Sequence, residues 1–148
     1  MAVVNDERGE LMLLLEGVEY GLRPSWEAVQ AIENKLGRGL VELGRDATMG
    51  RLTTGDAAVV IGELIRAWGR ATEQKQVAAF KDTRIGELLF EAGPGFGYVG
   101  VMRAVGGVLS LAATGGYTAQ GEMKAPAEMK MADGSTETPT SEAAAAGA

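Results

Sequence analysis

The first apolar positions form a run, Glu10 to Glu16 (ELMLLLE), which Gly17 breaks before Val18, Tyr20 and Leu22 alternate with Glu19, Gly21 and Arg23. A short apolar run and a period-two alternation on either side of a glycine predict a β-hairpin. Pro24 closes the second strand, because it cannot donate to a ladder and pushes Arg23 toward extended geometry. Ser25 then stands as an N-cap candidate, and Trp26, Val29, Ile32 and Leu36 recur at helical spacing up to Gly37. This start and stop chemistry predicts a helix over 26–36.

A second helix is expected from Leu40 to Met49, where Leu40, Leu43 and Ala47 share a face and Gly37, Gly39 and Gly50 punctuate the ends. Thr53-Thr54-Gly55-Asp56 fits a capping box, in which a Thr hydroxyl takes one orphan N–H and the acid at N3 reaches back to another. A helix should therefore start at Thr54. Along it Val60, Ile61, Leu64, Ile65 and Trp68 form an apolar stripe, with Glu63, Arg66 and Arg70 read as the polar side. Shorter helical pieces follow around Val77 and Phe80 and around Ile85, Leu88 and Leu89, capped by Asp82 or Thr83. After the loop Gly93–Gly97, the residues Tyr98, Val101, Met102, Val105, Leu109 and Ala112 predict a last amphipathic helix ending near Gly115-Gly116.

Residues 117–148 change character, with no Leu, Ile, Val, Phe or Trp and with 5 acids against 2 lysines. Ordering a residue costs about 1–2 kcal/mol of entropy, and nothing there buries enough apolar surface to offset it. The expected fold is α+β, mainly α: an N-terminal β-hairpin, a small bundle of four to six helices over 1–116, and a disordered acidic tail rich in Ala, Thr and Glu over 117–148.

Composition narrows the chemistry. With 148 residues the chain has the size of one domain, and its 14 Lys+Arg against 20 Asp+Glu give a formal charge of −6. That field repels phosphate, so nucleic acid is not an expected partner. The absence of Cys and His removes disulfides, thiolate nucleophiles, imidazole bases and most transition-metal sites. The start MAVVNDERGE has no apolar segment beside a basic one, so no secretory signal is expected and the chain reads as cytoplasmic.

Three motifs bear on function. Gly95-Phe96-Gly97-Tyr98-Val99-Gly100 spells G-x-G-x-x-G, but a nucleotide cradle needs a strand before the glycines and a βαβ unit after them, and neither is expected here. Phe96 to Ala113 is 18 residues with one charge, Arg103, and borderline for a membrane span; its glycines and the central arginine favour a buried amphipathic helix instead. The carboxylates, Glu63 among them, read as a solvated surface, with no acid pair set against an apolar run and no G-x-S-x-G elbow. No catalytic residue, cofactor or metal is expected, and the chain reads as a non-enzyme.

The stretch GELMLLLEGVEYGLRPSWEAVQAIENKLGRGLVELGRDATMGRLTTGDAAVVIGELIRAWGRA, residues 9–71, resembles the tail-assembly chaperone family of gene transfer agents and long-tailed phages. The likeness lies in a hairpin, a helix ending in a Leu-Gly turn, a short helix, and a Leu-Thr capped helix with Asp at N3; Gln74 to Gly115 resembles the family's closing helices more loosely. The resemblance implies a helper in the bacterial host cytoplasm that binds the tape-measure protein and recruits tail-tube subunits during virion assembly, without catalysis. For the partner surface the apolar pattern of the last helix selects Tyr98, Val101, Met102, Val105 and Leu109, with the adaptable methionines Met123, Met129 and Met131 as a second contact. Three other readings stay open: a minor structural component retained in the particle, a peripheral membrane protein using 96–113, and a small nucleotide-binding enzyme. Self-association through exposed helix faces is also left open.

Overall fold

The computed structural model describes the backbone of residues 2–5, 10–91 and 96–124 and the side chains of 11–91 and 100–124. Among these, the expected hairpin is built by β2 (Glu10–Leu15) and β3 (Val18–Leu22), antiparallel with Leu13 opposite Tyr20 and Leu15 opposite Val18. Glu16 and Gly17 join them with φ of 55° and 79°, the doubly positive backbone of a two-residue turn that matches strand twist. A third strand, β1 (Ala2–Asn5), adds to the free edge of β2 with Val3 opposite Met12, giving the sheet order β1-β2-β3. The sequence pattern predicts no strand there, since a run as short as Ala2-Val3-Val4 carries little periodicity.

Helix α1 (Trp26–Leu36) starts where Ser25 accepts the Ala28 N–H at 3.1 Å and ends where Gly37, at φ 66°, returns its N–H to the Glu33 carbonyl. The Glu33 side chain also acts beyond its own helix. Its carboxylate accepts the Leu40 N–H at 2.9 Å and so caps α2 (Leu40–Thr48), whose own N-cap, Gly39, has no side chain. Helix α3 (Thr54–Ala71) begins as expected, with the Thr53 hydroxyl accepting the Asp56 N–H at 3.0 Å. The other half of the expected capping box is redirected. The Asp56 carboxylate takes the Arg38 guanidinium at 2.7 Å, and Arg38 also holds Asp46, so one cation ties the α1–α2 loop to α2 and α3.

Beyond α3 come α4 (Lys75–Ala78), α5 (Asp82–Glu91) and α6 (Phe96–Ala113). The core gathers Leu13, Leu15 and Leu22 from the sheet, Ile32, Leu43, Ile61, Leu64 and Ile65 from the first three helices, and Ile85 and Leu109 from the last two. Helix α3 lies at its centre and is buried on almost every side, not along one stripe. Trp68 lies flat against Gly21 of β3, where any Cβ would run into the indole. Helix α6 packs chiefly on α2, and Gly106 permits it: a Cβ there would stand 2.7 Å from the Thr48 nitrogen. In α1 the sequence expectation is corrected, because Ala28 and Ile32 face the core while Trp26 is 66% exposed. Trp26 opens the helix, two residues ahead of Ala28, its first buried residue.

Ordered chain also continues past Gly116, the boundary read from sequence. Tyr117 bridges to Met123, Thr118 and Gly121 close the turn between them, and Lys124 donates to the Gly116 carbonyl. This strap presses on the start of α1, where the Ala119 carbonyl accepts the Trp26 N–H at 2.8 Å. It thereby satisfies a first-turn donor that has no partner within its own helix. The remainder of the expected tail, 125–148, lies outside the described residues.

Two stability measurements check this arrangement. Trp68→Ala should lower stability by roughly 3–5 kcal/mol in a denaturant melt, because the cavity would open between α3 and the sheet. Truncation after Gly116 should lower the melting temperature, since it removes the acceptor for Trp26 and the partly buried Tyr117 that packs against the core; an unchanged melt would show that the strap contributes nothing.

Candidate functional site

The face proposed from sequence for a partner is turned inward. Val101, Met102, Val105 and Leu109 are buried against α2 and the rest of the core, so they hold the protein together and present no surface. The physical reason is that the most apolar stripe of an amphipathic helix is the one folding itself consumes. Of the other candidates, Tyr98 lies on α6 at a position where only the backbone is described, Met123 is partly exposed on the strap, and Met129 and Met131 lie outside the described residues.

The second correction concerns Glu63, read from sequence as a solvated acid. It is only 6% exposed, and its carboxylate receives Lys35 Nζ at 2.6 Å and Arg66 Nη2 at 3.0 Å. Arg66 continues to Asp82 at 2.7 Å and donates to the Phe80 carbonyl at 2.8 Å, while Lys35 lies 3.6 Å from Asp82. Gly62 makes room for this cluster, since a Cβ there would collide with the Asp82 carboxylate. Burial pushes the Glu63 carboxyl up, but the Lys35 hydrogen bond and the Arg66 charge outweigh it and hold the group below the usual carboxylate range. The hydrogen bond to Glu63 in turn raises Lys35. A carboxylate held ionised between two cations suits a structural cross-link of α1, α3 and α5 better than a general acid, whose pKa must approach the working pH.

The sequence motifs resolve similarly. The residues before the G-x-G-x-x-G form α5, a helix, and its Gly97 and Gly100 stand within the first turns of α6, so no strand leads into a phosphate loop; Gly95 lies outside the described residues. Close packing at small residues, expected at this motif, occurs further along at Gly106, while Gly100 faces open space. No described helix is long and apolar enough to cross a membrane. No group of three or more acids among the described residues is placed to hold a metal ion.

What the surface does offer is a groove between α3 and α5. Asp82 meets α3 at Gly62 and Gly86 meets it at Ala58, after which the two antiparallel helices diverge toward Gly55 and Phe90. The opening offers about 440 Å³ of open space lined by Thr54, Gly55, Ala58, Thr83, Gly86 and Glu87. Phe90 stands at its mouth, 78% exposed, the most exposed large apolar side chain described. Sequence reasoning passes over it, although the signal is present. Ile85, Leu88 and Leu89 define the buried side of α5, and at about 100° per residue Phe90 falls well off that side.

Compared with protein-family models, with curated proteins and with solved structures, the chain matches none.

The ionic cluster predicts a pH dependence. Because the folded Glu63 pKa is depressed, its contribution is present above the ordinary carboxylate value of about 4.3 and is lost as the pH falls through the lower folded value. Lys35 works in the opposite sense, stabilising fully below its ordinary value of about 10.4 and losing that contribution as the pH rises through its higher folded value. Glu63→Gln should cost roughly 3 kcal/mol at neutral pH, the low end for breaking a buried ion pair because Lys35 is half-exposed. The same variant should flatten the fall in melting temperature on acidification; an identical acid profile would refute the cluster's role.

Proposed function

We propose that the protein is a non-enzymatic assembly chaperone of the phage-tail kind, which holds a tape-measure protein and brings tail-tube subunits to it. The observation that carries this reading is the succession of elements over residues 9–71. A two-residue hairpin turn is followed by a helix bounded by Pro24 and Gly37, a short helix capped by Glu33, and a Thr53-capped central helix with Asp56 at N3. These are the features in which the sequence resembles that family.

Physical properties of the surface support the same role. A tape measure is a long amphipathic helix, prone to aggregate until its apolar face is covered. A helper for it must expose apolar side chains on a body that itself stays in solution. The chain combines a formal charge of −6 with exposed Trp26, Val41, Met49 and Phe90. Its polar clusters around Arg38 and Glu63 link helices to one another and leave no carboxylate poised for proton transfer there.

Co-expression tests the proposal. A fragment of the tape-measure protein encoded beside this chain should remain in the soluble fraction and co-purify with it, and should aggregate when expressed alone. A fragment that is equally insoluble with and without the chain, and is never captured by it, would sink the reading.

A further inference from the structure

The geometry points to the α3–α5 groove as the docking site for an amphipathic helix that places a large apolar side chain beside Phe90 and lysines or arginines against the acidic wall. This assignment rests on the chaperone reading for the identity of the partner, but not for the chemistry of the site.

The groove exists because small residues let two helices touch at one end and part at the other. At the closed end Gly62 accommodates the Arg66–Asp82 pair, and Ala58 lies in close contact with Gly86. At the open end a Cβ on Gly55 would meet nothing within 4 Å. The floor is therefore apolar and shallow, a shape that receives side chains presented at i, i+3 and i+4 by a helix laid along it. Phe90, 78% exposed beside it, has apolar surface that an occupant of the groove would bury.

Charge selects the occupant. The ionisable groups lining the groove are both acids, Asp82 and Glu87. Helix α5 also carries no basic residue in its last turn and ends on Glu91, at the end where the helix dipole favours cations. Asp82 is already engaged by Arg66 and Lys35, whereas Glu87, which meets Arg84 at 3.3 Å, is exposed and can be reached by a further cation. A second copy of the chain could offer its own Phe90 to the groove, but a twofold contact would bring Glu87 and Glu91 toward their counterparts. Such like-charge juxtaposition disfavours the self-pairing and favours a basic partner.

The experiment measures binding of the full chain to two synthetic amphipathic helices of one apolar pattern, one with lysine and the other with glutamate on its polar face, by fluorescence anisotropy. The Leu/Lys helix should bind and the Leu/Glu helix should bind at least about tenfold more weakly. Phe90→Ala should weaken the Leu/Lys complex about tenfold or more. Gly55→Leu, which fills the open end where there is space for it, should do the same, and both variants should keep the wild-type melting temperature. Equal binding of the two helices, or binding indifferent to both substitutions, overturns the assignment. So does a Phe90-dependent dimer in sedimentation, which would make a second copy the occupant. The tape-measure fragment separates the two proposals. If it is held equally by wild type and by both variants, the groove is wrong and the chaperone reading stands. If the Leu/Lys helix needs the groove while the wild type captures no tape-measure fragment, the groove stands and the chaperone reading falls.

Discussion

The sheet, α1, α4 and α5 are arranged around one largely buried helix, α3, while α6 packs chiefly on α2. Burying most of α3 brings the sheet, α1, α4 and α5 against one cylinder, and a cylinder of large side chains would hold them too far apart to exclude water. The chain answers with small residues where neighbours come closest. Gly62 lies beneath Asp82, Gly69 beneath the backbone of α4, and Ala58 beneath Gly86, while the large side chains Ile61, Leu64 and Ile65 fill the wider spaces. Complete burial also leaves Glu63 without solvent, so two cations must be delivered from α1 and from α3 itself. The sheet is fixed by the same helix, through the Arg23 N–H to the Leu64 carbonyl and through Trp68 against Gly21.

Local chemistry is legible in the sequence to nearly residue resolution. Ser25, Gly37 and Thr53 mark the helix ends that their chemistry predicts, because caps depend only on a few neighbouring residues. Gly17 marks the hairpin for the same reason. What escapes depends on the third dimension. Periodicity separates α3 into an apolar stripe and a polar back, and nothing local reveals that α1 and α5 supply Lys35 and Asp82 to cover that back. Likewise Val101 and Leu109 are visible as an apolar stripe, but whether such a stripe meets its own core or another protein is decided by α2, a helix far back along the chain. The candidate groove illustrates the converse. Gly55, Ala58, Gly86 and Phe90 are individually unremarked, and only the divergence of two helices makes them a surface.

Function, in the proposed role, lies in the apolar residues that folding did not consume. The core takes the leucines, isoleucines and valines with the strongest periodicity, and leaves outward-facing apolar side chains that no regular pattern demands. Phe90 and Trp26 are unfavourable to keep in water and contribute little to the stability of the isolated chain, which makes them informative about partners. The polar residues carry the opposite message. Arg38, Glu63 and Arg66 are committed to bonds within the fold, so the protein's charged groups with the best-defined geometry are scaffolding.

The strap over α1 has a consequence for the order of events during synthesis. The N–H of Trp26 finds its acceptor in Ala119, beyond the last helix, and α2 waits for α6 to cover its apolar face. A nascent chain that has emerged only as far as α5 thus carries an incomplete first helix turn and an uncovered second helix, and the native topology cannot close until translation has passed Lys124. Over that interval the growing polypeptide is itself in need of protection from aggregation.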